Sequence, residues 1–245
     1  MNPEALLHGL TSGLTPFLGL PHRLQPEPAA GVVLGAPFDG GVLHRPGARL
    51  GPWALRAATL GLGRLPMPLR LQGPEEEARS FAAQGWMDGG NVPTRPFDMA
   101  EALAAVEMAH AAWITQGART LMLGGDHLMT LGALRAHARK HGPLGLLHFD
   151  AHPDAGHGEL WGTPCHHGTW VRQALEEGLL DPHRTVQVGL RACMFPQFRV
   201  FRADGYGSGG AAATGGMVLI CVWALKQLPS RRFSPSLLPC RAEDR

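Results

Sequence analysis

Two short stretches concentrate the ionisable chemistry of this 245-residue chain: Gly124-Gly125-Asp126-His127 and Asp150-Ala151-His152-Pro153-Asp154. Each directly follows an aliphatic run, TLML in the first case and LGLLHF in the second. A run of that kind predicts a buried strand, and reactive groups of open parallel sheets gather beyond the carboxyl ends of the strands. Side chains alternate along a strand, so Asp150, His152 and Asp154 are expected to start on one face, with Pro153 halting the strand. Carboxylates at the lip of an apolar strand are costly to desolvate unless a cation neutralises them. If the two strands are neighbours, His127 reaches the same ion. A mixed His/Asp set suits a borderline or hard divalent ion such as manganese, whereas a structural zinc site usually uses thiolate. With carboxylates available to bridge, two ions about 3.5–4 Å apart could activate a water between them.

The elements that must position these groups alternate. Strands are expected at 31–36 (GVVLGA), 120–125 (TLMLGG), 144–149 (LGLLHF) and 185–190 (TVQVGL). Between them lie amphipathic helices at 99–117, closed by Gly117, and at 130–142, with basic residues in its last turns and Gly142-Pro143 as the stop. A third helix is expected over 168–182. This alternation predicts an α/β fold, a three-layer parallel sheet with helices on both faces. The proline-rich stretch 62–80 is expected to be a loop, and the first twenty-odd residues a weakly structured leader.

The same residues resemble a known family. GGDH (124–127) followed by DAHPD (150–154) is similar to the ureohydrolases: arginases, agmatinases and related guanidino-compound amidinohydrolases. The resemblance extends upstream to LGAPFDGGVLHRPGARLGPWALR (34–56) and downstream to HHGTWVRQALEEGLLDPHRTVQVGLRA (166–192), the latter close to the agmatinase branch. It implies an arginase-like fold and hydrolysis of a linear guanidino compound to urea and an amine with two Mn²⁺ ions, a reaction type of polyamine metabolism. It also implies that His127 and Asp154 bind the first ion, His152 binds the second and Asp150 bridges them. His167 matches the histidine expected to relay a proton to the leaving amine. The remaining candidates are given supporting roles: Asp126 orients the loop, His166 and Arg49 are structural, and His157 is a solvated loop residue. His148 is left open between supporting the metals and packing within its strand. MDGGN (87–91) stands where the family has D-x-G-D, with Asn91 in place of the second acid. Arginases carry an asparagine where this chain has Gly156, which favours agmatine or a guanidino acid over arginine. The resemblance further implies a homo-oligomer, a trimer or hexamer.

One element of the family pattern is missing. The S-x-D-x-D-x-x-D-P strand has no counterpart, since the aspartates after Asp154 are Asp181, Asp204 and Asp244. The expected organisation is therefore a leader (1–29), a ureohydrolase-like domain (30–201) and a tail (202–245) in which the C-terminal part is truncated or replaced. The tail reads either as out-of-frame translation beginning near codon 202 or as the end of a shortened relative. Without that strand the second ion keeps only His152 and the shared Asp150, so one ion or none is expected and turnover by this chain is in question. The rival reading is a catalytically inactive remnant. A metal-dependent deacetylase shares the broad architecture, but GGDH and HGTWVRQALEEGLLDP speak against it.

Composition removes other classes. A net charge of +2, with only Lys140 and Lys226 as lysines and the arginines scattered, leaves no footprint for nucleic acid. The apolar stretch 217–225 falls short of the ~20 residues that span a membrane. Four cysteines without a C-x-x-C pair predict free thiols in a cytoplasmic protein.

Overall fold

The computed structural model describes residues 16–59 and 84–191. The expected loop at 62–80 and the tail 202–245, with Cys193, Cys221 and Cys240, lie outside these described residues.

Among the described residues five strands carry the fold, each pairing in parallel within its sheet: β1 (Gly31–Ala36), β2 (Trp86–Asn91), β3 (Arg119–Gly124), β4 (Leu144–Phe149) and β5 (Leu180–Val188). Four α-helices connect them: α1 (Gly51–Ala58), α2 (Met99–Thr115), α3 (Met129–His141) and α4 (Trp170–Glu176). β1 is central in a three-stranded sheet of order β2-β1-β3, while β4 pairs with β5 in a second sheet. The neighbouring of the GGDH and DAHPD strands, raised from the sequence as a condition, is thus not observed. β3 hydrogen-bonds to β1 and β4 to β5, and their far edges carry no paired strand among the described residues.

Every residue of β1 is buried, as expected of a strand covered on both faces. Val32 and Leu34 pack with Trp113 of α2, whereas Val33 packs with Leu20, Leu123 and Leu55 of α1. The largest core lies where α2, α3 and α4 meet the strands, and includes Phe38, Val106, Leu131, Leu134, Leu146 and Trp170. β4 is one-sided: Leu144, Leu146 and His148 are buried, while Leu147 and Phe149 on the other face stay 40% and 43% exposed.

Local chemistry explains the helix ends. Asp98 caps α2 by accepting the Glu101 N–H at 2.9 Å, and Gly117 follows it at φ +86°. α3 ends with Arg139, Lys140 and His141, basic residues that favour the negative end of the helix dipole. Lys140 reaches over to the Ile114 carbonyl at 2.7 Å.

Two further expectations are corrected, and one strand was not foreseen. The expected helix at 168–182 is helical only over Trp170–Glu176, because Gly178 turns the chain at φ +69° and β5 already begins at Leu180. Leu180 pairs with Leu144 and Thr185 with Leu146, so the intervening residues form an excursion held by Asp181, which accepts from Arg184 and from the His183 N–H. The expected leader is docked from Pro16 onward: Leu20 is buried, and Phe17 N–H donates to Asp88 at 2.7 Å. β2 was not legible as a strand at all.

Candidate metal centre

The GGDH turn is pressed against the chain leaving β1. Gly125 N–H donates to Ala36 O and Asp126 N–H to Phe38 O, both at 2.8 Å. A Cβ on Gly125 would lie 1.9 Å from Phe38 O, so only glycine fits this approach. Asp126 is buried and spends both oxygens on backbone, accepting Gly41 N–H at 2.8 Å and Leu128 N–H at 2.9 Å. Burial raises its pKa to about 6 against these hydrogen bonds. It therefore braces the loop, the role expected of it.

His127, at the head of α3, meets the end of β4. Its Nδ1 lies 3.2 Å from Asp150 Oδ2 and 2.8 Å from Asp154 Oδ2. Ligand atoms of His127, His148, Asp150 and Asp154 all fall within 4.8 Å of one another, the spacing of a set able to hold a metal ion. Burial opposes charge on His127, yet the bonded carboxylates of Asp150 and Asp154 prevail and raise its pKa to about 9. Burial likewise pushes the Asp150 carboxyl up, but His127, His148 and the His152 N–H hold it well below the usual carboxylate range. The set favours a positive charge between its carboxylates.

The convergence does not arise from strand alternation. Asp150 follows the last strand residue, and Asp154 sits in the left-handed region at φ +48°, which turns its carboxylate back toward His127. Trp170 secures it there, donating Nε1–H to Asp154 Oδ2 at 2.8 Å. The indole lies 4.9 Å from the His127 ring and 5.1 Å from the His148 ring, centroid to centroid.

His152 stands apart from this set. Its side chain is half exposed, and its Nδ1 faces the other oxygen of Asp150 at 3.4 Å. The same oxygen accepts the His152 backbone N–H at 2.9 Å. Asp150 therefore presents one oxygen to His127 and the other to His152. His167 is anchored by its backbone N–H to Gly41 O at 2.9 Å, and its Nε2 accepts Leu43 N–H at 3.4 Å. Burial lowers its pKa.

The remaining singled-out residues lie outside this cluster. His166 is buried and accepts Gly168 N–H at Nδ1. His157 is exposed beside Arg172, and Arg49 pairs with Asp39 at the turn. Asn91 accepts from Arg56, whose guanidinium also grips Asp88 through two hydrogen bonds. Cys165 donates to Gln173, and among the described residues no thiol joins the cluster. Sequence reasoning left His148 undecided and missed Trp170. A histidine two positions before Asp150 on a one-sided strand was the available signal, since it must share the buried face.

Comparison with known proteins bears on the family and the fold. The family model described as "Arginase family" matches residues 29–206. This chain belongs to the arginase family. It is 36% identical over 212 residues to proclavaminate amidinohydrolase of Streptomyces clavuligerus, covering 82% of the chain and 65% of that relative. It is 36% identical to guanidinopropionase of Pseudomonas aeruginosa, covering 75% of the chain and 55% of the relative. The family member therefore spans roughly half to two thirds of the length of these curated relatives. The solved structure of a hypothetical agmatinase from Burkholderia thailandensis superimposes with TM-score 0.66 at 32% identity, over 78% of this chain and 58% of the other. The fold is arginase-like.

Proposed function

We propose that the protein is an amidinohydrolase, cleaving a linear guanidino compound to urea and an amine with manganese as cofactor. The observation that carries this reading is the convergence of His127 Nδ1 on Asp150 and Asp154 at 3.2 and 2.8 Å. The residues fit a divalent ion: the donors are imidazole and carboxylate without thiolate, and the polarity between the carboxylates favours a cation. His127, Asp150 and Asp154 would hold one ion; Asp150 Oδ1 with His152 offers the start of a second site. Two bound ions would supply Lewis acidity and activate water for hydrolysis at the guanidinium carbon.

The chain's own residues then divide the work. Asp150 stands between two imidazoles and is suited to bridge. His167, held at Gly41 and Leu43 with its pKa lowered by burial, is suited to pass a proton to the departing amine. The names of relatives, guanidinopropionase and agmatinase among them, support a guanidino acid or agmatine as the substrate.

A second reading is favoured by one observation: His152 is half exposed and meets a single oxygen of Asp150. On that reading the chain holds one ion and turns over nothing. Urea release from agmatine, guanidinobutyrate, guanidinopropionate and arginine, measured with Mn²⁺ alongside the bound-metal stoichiometry, separates the two. Two ions per chain with urea released supports the enzyme; one ion or none without urea supports the remnant.

A further inference from the structure

His148 is fully buried, and its ring nitrogens face different neighbours. Across the β4–β5 pair it lies opposite Gln187. The Gln187 amide nitrogen donates to the Pro153 carbonyl at 2.8 Å, which fixes which end of the amide is nitrogen. The same nitrogen lies 2.9 Å from His148 Nδ1, and two amide hydrogens serve both acceptors. Nδ1 must therefore offer a lone pair, which leaves the ring proton on Nε2. That Nε2 is buried without a hydrogen-bond partner and looks at Asp150 Oδ2 from 3.6 Å.

Resting on the divalent-ion reading of the cluster, we infer that His148 is a positioning residue and not a ligand. Gln187 sets its tautomer, and the Nε2–H is directed at Asp150 Oδ2 to fix the carboxylate's orientation. An Nε2–H has no lone pair in the ring plane to give a metal, so proximity alone does not make His148 a donor. Gln187 has a second effect through Pro153, since it ties β5 to the turn that carries His152 and Asp154.

The test begins with the metal-free protein, in which long-range ¹H–¹⁵N NMR of His148 reports the tautomer without any ion. A pyrrole-type Nε2 and a pyridine-type Nδ1 are expected. Mn²⁺ isotherms then compare the wild type with His148→Gln, His148→Leu and Gln187→Met, each first checked for folding by circular dichroism. His148→Gln, which keeps an N–H near the Nε2 position, should bind within about threefold of the wild type, whereas His148→Leu and Gln187→Met should bind about 10–100-fold more weakly. A proton on Nδ1 in the wild type overturns the inference whatever the metal result, and so does equal weakening of the Gln and Leu variants at 148. A wild type that shows the Nε2–H tautomer but binds no Mn²⁺ overturns the metal reading instead.

Discussion

Trp170 donates its indole N–H to Asp154 Oδ2, the same oxygen that lies 2.8 Å from His127 Nδ1. The side chain is completely buried, with its ring tilted against that of His127 and roughly perpendicular to that of His148. A residue of this kind supports the site twice, by filling the space beneath it and by orienting one carboxylate. Trp170→Phe separates the two. It retains most of the packing and removes the donor, so Mn²⁺ affinity should drop about 10-fold or more. An isotherm unchanged from the wild type would show that the hydrogen bond does not bear on the site.

The Arg56–Asp88 pair is buried on both sides, and Asp88 also accepts N–H groups from Phe17 and Gly90. Removing one member leaves the other charge buried and uncompensated. Arg56→Met is expected to lower unfolding free energy by about 3–5 kcal/mol in urea titrations. The folded fraction should still bind Mn²⁺, since neither residue belongs to the metal cluster.

Gly125 tests the close approach of the GGDH turn. Alanine there would place a methyl group 1.9 Å from Phe38 O. The backbone must shift to accept it, at a cost of about 1–3 kcal/mol or more, and Asp126 and His127 must move with it. Gly125→Ala should therefore lose stability and metal affinity together. A variant that melts and binds like the wild type would contradict the described turn.

Acid should weaken the fold through a second group of histidines. His110 and His137 share Thr120, with Thr120 Oγ1 2.9 Å from His110 Nδ1 and 2.8 Å from His137 Nε2. Burial, then the neighbouring His137, lowers the pKa of His110 to about 3. Burial, then His141 and Lys140, lowers that of His137 to about 4. In the unfolded chain both rings take a proton near the ordinary value of about 6.5. Between that value and the folded ones the unfolded state binds more protons. The stability these groups contribute is thus present above pH 6.5 and is lost as pH falls toward 4 and 3. His110→Gln, uncharged throughout, should reduce the slope by up to about 1.4 kcal/mol per pH unit. Parallel curves for variant and wild type between pH 7 and 5 would refute this.

What could be read from the sequence follows from how local each cause is. LGLLHF was placed correctly as a strand because an aliphatic run between Pro143 and Asp150 decides it alone. The cluster of His127, Asp150 and Asp154 was legible for a similar reason: each acid or imidazole lies just past an apolar strand. The reason given for Asp154 was wrong in detail, since a left-handed backbone and Trp170, not alternation, aim it. β2 escaped notice because WMDGGN holds two glycines and an acid whose burial is explained by Arg56, 32 residues away. The state of His148 could not be read either, because Gln187 sets it from 39 residues away. Among the described residues β4 pairs with β5 and not with β3, which depends on the whole sheet arrangement and left no mark in either strand's own residues.

The central claim is that His127, Asp150 and Asp154 share one divalent cation. A crystal structure of the protein grown with Mn²⁺, with the ion located by its anomalous scattering, tests this most directly. The account predicts manganese bonded to His127 Nδ1 and to an oxygen of each aspartate, at oxygen distances of about 2.0–2.6 Å. Manganese bound elsewhere, with His127 still hydrogen-bonded to both carboxylates, would contradict it.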